Sequence, residues 1–100
     1  MGNNFMVETV EEATTYYDTS ECTAVPVEGG YMILEWTEYY RQIREEAESL
    51  YDRGWRASDS DCIESLIAEY CDDDNKITRE WAGDIASALH DIEGYMWKYE

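Results

Sequence analysis

The chain has 100 residues, 44% of them hydrophobic and 14% aromatic. That is enough apolar material for a core, and it excludes a chain disordered throughout. Its 24 Asp and Glu against 7 Lys and Arg give a formal net charge of −17. Such a charge repels nucleic acid and anionic membranes and attracts basic surfaces, which argues against direct nucleic-acid binding. No apolar run approaches the roughly 20 residues that span a bilayer, so no membrane association is expected.

The opening stretch, MGNNFMVETVEE, lacks the basic and apolar regions of a signal peptide, and a cytoplasmic location is expected. Cys22, Cys62 and Cys71 show no paired spacing and are expected to stay reduced there. Together with His90 they reach the number of ligands zinc needs. Their scatter, without any CxxC pair, argues against a zinc site.

The first third of the chain has β character. FMVETV, from Phe5, alternates as a strand does, and a short helical turn is expected after it. Thr9 and Glu12 have capping-box spacing, which would also allow a helix from Val10 to Tyr16 or Tyr17. CTAVPV and YMILEW flank a glycine-bearing loop, Glu28 to Gly30, and read as a hairpin. Pro26 has no N–H to donate, which places its strand on a sheet edge.

From Thr37 the period lengthens. Trp36, Tyr40, Ile43, Ala47, Leu50 and Tyr51 recur at three and four residues and predict an amphipathic helix stopped at Gly54. Ser58 and Asp61 offer a cap for a second helix, with Cys62, Ile63, Leu66, Ile67 and Tyr70 as its stripe. Thr78 offers a cap for a third, with Trp81, Ile85, Ala88, Leu89, Ile92 and Met96 facing the core. The predicted fold is α+β: a small N-terminal hairpin or short sheet packed with about three helices, in one domain over residues 1–100.

CDDDNKITREW, Cys71 to Trp81, resembles the calcium loop of an EF-hand. Setting Ile77 at the hydrophobic position puts Tyr70 at position 1 and Asp72 and Asp74 at positions 3 and 5. Asn75 then takes the glycine position and Trp81 the place of the bidentate glutamate, with Glu80 one residue early. Two anchoring ligands are wrong. The acids are therefore read as ending one helix and solvating the turn, with no metal and no cofactor.

Signals of catalysis are sparse. His90 has Glu93 at helical spacing, a pattern typical of a surface contact. The chain contains no GxSxG, no HExxH and no phosphate-cradling glycine loop, and an enzyme is not expected.

What stands out is patterned negative charge. Glu38, Glu45 and Asp52 share one helical face, with Glu48 beside them. Asp61 and Glu64 point outward from the second helix, and Glu80, Asp84 and Asp91 from the third. Carboxylates four apart rise about 6 Å along a helix. Phosphates on one DNA strand rise about 3.4 Å and spiral, so the through-space spacings are of similar order. Four Trp and nine Tyr exceed what a small core needs, and these residues carry interface hot spots. Tyr95 and Trp97 join the acids as candidate partner-binding residues.

In size, charge and aromatic content the chain resembles the small acidic inhibitors of phages and mobile elements. These DNA mimics, of anti-CRISPR or anti-restriction type, block nucleic-acid-binding proteins. The resemblance implies a basic nucleic-acid-binding protein or complex as partner, and competition with its DNA or RNA. Three alternatives stand beside it: a general protein-interaction module or assembly subunit, a degenerate EF-hand-like calcium binder, and halophilic adaptation. Surplus aromatics also suit a homodimer. For calcium, titration calorimetry at millimolar concentration is expected to show no saturable binding specific to the Asp72–Asp74 loop. A micromolar dissociation constant abolished by Asp74→Asn would reverse that reading.

Overall fold

The computed structural model describes residues 4–71 and 73–94 and the backbone of 95–99. Asp72 and the side chains of Tyr95, Met96 and Trp97, singled out above, lie outside the described residues. In chain order the elements are β1 (Phe5–Val7), α1 (Val10–Tyr16), β2 (Cys22–Val27), β3 (Gly30–Glu35), α2 (Trp36–Asp52), α3 (Cys62–Tyr70) and α4 (Lys76–Tyr99). The α+β expectation holds, with the N-terminal helical turn realised as a true short helix.

The three strands are antiparallel in the order β1-β3-β2. β2, which carries Pro26, is therefore an edge strand. The hairpin turns through Glu28 and Gly29, with Val27 opposite Gly30. Gly29 has φ +85, a left-handed backbone that costs glycine little. Gly30 serves a different need. A Cβ there would lie 2.2 Å from the Val7 carbonyl oxygen, so only a bare backbone lets β1 close onto β3. Thr9 caps α1 by accepting the Glu12 N–H at 3.2 Å, as the capping-box spacing implies.

Alternation along the strands sends side chains to two faces. Val7, Ala24, Tyr31 and Ile33 share a cluster with Ala13 of α1. Val25 and Leu34 look the other way, into a larger core with α2, α3 and α4. The sheet thus lies between one short helix and three longer ones. Ile77, in the first turn of α4, joins the α1-side cluster, so α4 begins beside the outer edge of β2.

Four helix boundaries and faces differ from expectation. Tyr39, not Tyr40, enters the core: 3% of Tyr39 is exposed and 62% of Tyr40. Both fit a three-four spacing, and a partner in α4 for the Tyr39 hydroxyl decides between them. Ser58 caps nothing; a turn over residues 57–61 precedes α3, and Asp61 stands before it without a capping side-chain bond. α4 is capped by Asn75 rather than Thr78. Asn75 Oδ1 accepts the Thr78 N–H at 3.1 Å, and Thr78 Oγ1 accepts the Asn75 N–H at 2.8 Å. Asn75 can take that place because its Nδ2 also donates to the Tyr31 hydroxyl, tying the cap to the sheet. Ile63, counted in the α3 stripe, is exposed.

Gly54 ends α2 as anticipated, at φ +97. Its N–H reaches the Tyr51 carbonyl and the Trp55 N–H the Leu50 carbonyl, both at 3.0 Å, the two bonds of a Schellman motif. Leu50, Leu66, Ile85 and Leu89 are fully buried in one cluster. Leu89→Ala is expected to cost about 2–5 kcal/mol in chemical denaturation. An unchanged midpoint would show that the stripe does not bear the fold.

Candidate functional site

The acidic side chains divide into two kinds. On the outer face of α2, arginines meet them. Arg41 Nη1 pairs with Glu45 at 2.7 Å, and Arg41 also binds Glu38. Arg44 pairs with Glu48 at 3.0 Å. Arg41's hydrogen bond holds the Glu38 carboxyl below its ordinary range, and the same pairing raises the arginine. The row Glu38–Glu45–Asp52 is therefore a partly neutralised face, with Asp52 exposed at its end. The Asp74 loop is similar. Arg79 Nε pairs with Asp74 at 2.7 Å and Arg79 Nη1 with Glu64 at 3.2 Å, joining α3 to α4. The EF-hand-like aspartate thus serves an ion pair, and Asn75 beside it serves as a helix cap.

The other kind faces two clefts flanking β2. The first, about 220 Å³, opens between the end of α1, β2, the start of α2 and α4. Asp18, Glu80 and Asp84 line it, with Tyr17, Trp36, Tyr39 and Tyr40. The second, about 640 Å³, lies at the other end of β2, where Glu28, Glu46 and Glu69 meet Tyr70. Trp81 borders both. Six carboxylates thus line adjoining hollows. Among the described residues, neither lining contains a Lys or Arg.

Tyrosine hydroxyls organise the first cleft. Tyr39 donates to Asp84 Oδ2 and Tyr17 donates to Glu80 Oε2. Asp84 is consequently half-buried, although its spacing put it opposite the apolar stripe. The Trp36 indole N–H donates to the Thr19 carbonyl at 2.7 Å and is fixed in place. Asp18 sits at φ +53, in the left-handed region that aspartate tolerates better than most residues, and its N–H donates to Thr23 Oγ1.

The structure scatters the other candidates. Asp61 is exposed before α3 and Asp91 is exposed on α4. Tyr95 and Trp97 are among the side chains not described. His90 is exposed, and Glu93 turns away from it to accept the Ala57 N–H at 2.8 Å. Glu46, Glu69, Glu28 and Asp18 were missed. They lie on four separate segments, and only folding assembles them. A third hollow, about 530 Å³, lies beside Phe5, Tyr16 and Trp36. Phe5 and Tyr16 meet edge to face there at 4.9 Å, and both are exposed.

No family model, no curated protein and no solved structure matches the chain at a significant level. No helix among the described residues is long and apolar enough to cross a membrane.

Burial pushes the Tyr39 phenol well above tyrosine's ordinary range, and its bond to the Asp84 carboxylate adds to the shift. A raised folded-state value means that folding holds a proton the unfolded chain releases above about pH 10. Stability from this pair is complete below that pH and falls as pH rises beyond it. In a spectrophotometric titration one tyrosine is expected to stay protonated until the protein unfolds, and Tyr39→Phe should remove that late step.

Proposed function

We propose that the protein is an acidic inhibitor that covers a basic, nucleic-acid-binding surface of a partner protein and competes with DNA or RNA for it. One observation carries the reading: six carboxylates, unmatched by any cation among the described residues of the linings, border adjoining clefts along β2. Opposite charge steers encounter and fixes register, while aromatic side chains supply affinity. Both are present here, with Trp81 at the centre and Tyr40 and Tyr70 on either side. The arginine-paired row on α2 is a weaker mimic of a phosphate backbone, because Arg41 and Arg44 lie within it. This reading agrees with the resemblance to anti-CRISPR and anti-restriction proteins and narrows the contact surface.

A general protein-interaction module is the second reading. The exposed, edge-to-face pair of Phe5 and Tyr16 favours it, since apolar side chains gathered on a surface mark interfaces.

The two separate experimentally. Proteins captured from a bacterial lysate at low salt are expected to include one whose DNA or RNA is displaced as this protein is added. Association should slow steeply with salt, since screening shortens to about 8 Å at physiological ionic strength. Glu46, Glu69 and Glu80 changed together to Gln should weaken the complex about tenfold or more, while the same change at Glu38, Glu45 and Glu48 should do much less. A captured partner that binds nucleic acid equally well in the complex would leave the interaction module as the better reading.

A further inference from the structure

We propose that the smaller cleft, between α1, β2, α2 and α4, is a receptor for the guanidinium of one arginine on the partner. The inference rests on the functional reading above for its partner, and on the geometry of the cleft for its chemistry.

Size comes first. At about 220 Å³ the cleft falls below the roughly 300–1,000 Å³ typical of sites for drug-sized ligands. It has room for the head of one side chain. Its walls are aromatic. Trp36, Tyr39 and Tyr40 form a closed set, with ring centroids 5.6 Å apart for Trp36–Tyr39, 5.8 Å for Trp36–Tyr40 and 5.5 Å for Tyr39–Tyr40. Tyr40 is the most exposed of the large hydrophobic side chains described, so its ring is available to a visitor rather than spent in the core. Ring faces attract cations, and Trp does so most strongly.

Charge selects the same ligand. Asp18, Glu80 and Asp84 line the cleft, with no cation among the described residues of its lining. Asp84 and Glu80 each give one oxygen to a tyrosine hydroxyl, which leaves the second oxygen of each for another donor. The walls are also set before binding. Trp36 is pinned to the Thr19 carbonyl, and Tyr39 is buried and bonded to Asp84. A preformed site avoids much of the ordering cost of association.

Arginine fits better than lysine. A guanidinium is flat, so it can stack on the tilted Trp36–Tyr40 pair while its edge presents several N–H donors to separate carboxylates. It is also less strongly hydrated than an ammonium and loses less on entering the cleft. A fully methylated ammonium would use the rings but could donate nothing to Asp84 or Glu80.

The test is NMR titration of the full chain at constant ionic strength with four blocked amino acids: N-acetyl-arginine amide and its lysine, trimethyllysine and citrulline counterparts. The arginine probe is expected to shift the Trp36 indole N–H and the amides around Asp84 saturably. Lysine and trimethyllysine should bind several-fold more weakly, and neutral citrulline should not bind. Tyr40→Ala and Asp84→Asn should each reduce arginine affinity about tenfold. Tyr40 is 62% exposed and lies outside the core, so its variant decides the matter if Asp84→Asn disturbs folding. Equal response to all three cations, shifts spread evenly over every acidic surface, or full affinity in Tyr40→Ala would overturn the proposal. So would an untouched cleft in a protein that still displaces DNA from its partner, a result that spares the functional reading. A saturable arginine site in a protein that displaces no nucleic acid supports the cleft and removes the function.

Discussion

The seam where α4 lies between α2 and α3 holds this molecule together against its own charge. Ala47, Leu50, Leu66, Ala82, Ile85 and Leu89 are completely removed from solvent there. A net charge of −17 on 100 residues pushes the folded chain apart, because compaction brings like charges closer. The apolar seam must exceed that repulsion as well as the entropy of ordering the chain. It is built economically. Small residues, Ala47 and Ala82, lie among the large ones and let the helices approach. The buried threonines Thr23 and Thr78 both have hydrogen-bond partners, so the core carries few polar costs.

With that core secured, the surface charge is arranged rather than merely tolerated. Arginines stand where acids would otherwise crowd along a helix, as Arg41 does between Glu38 and Glu45. Arg79 clasps acids from two segments and closes the turn between α3 and α4. None of these cations lines the clefts beside β2. Local neutralisation on one side and its absence on another turns a uniform excess of acid into a directed field, the kind of field that the proposed basic partner would meet.

Tyrosine is the connecting residue. Its ring packs with apolar neighbours while its hydroxyl meets a polar group. Tyr39 and Tyr17 present hydroxyls to Asp84 and Glu80. Tyr70 accepts from Arg53, and the Tyr51 ring lies 3.9 Å beneath the Arg56 guanidinium. The last of these is the chemistry proposed for the partner's arginine, already practised within the chain. The tyrosine surplus evident in the composition therefore has two uses: it joins the core to a charged exterior, and it forms the walls of a cleft.

Much of the local structure was legible in the residues themselves. The Thr9 cap, the Cys22–Glu35 hairpin, the Gly54 stop and the Ile85–Leu89–Ile92 stripe all rest on interactions within a few residues, where spacing is sufficient evidence. The acidity and the aromatic excess were equally plain. The choice between Tyr39 and Tyr40 was not, since both satisfy the helical period and only Asp84, 45 residues on, separates them. Asn75 and Thr78 are both good caps, and the contact of Asn75 with Tyr31 of the sheet settles which is used. The candidate site was the least legible part. Periodicity finds acids that share one helix, and so it found the row that Arg41 partly neutralises. Asp18, Glu46, Glu69 and Glu80 come from different segments and meet along β2 only because the sheet order and the packing of α4 bring them there. Sequence determined the sign of the charge and the local elements, both of which depend on near neighbours. Tertiary structure alone decided where that charge goes unopposed, because electrostatic and aromatic contacts act through space and not along the chain.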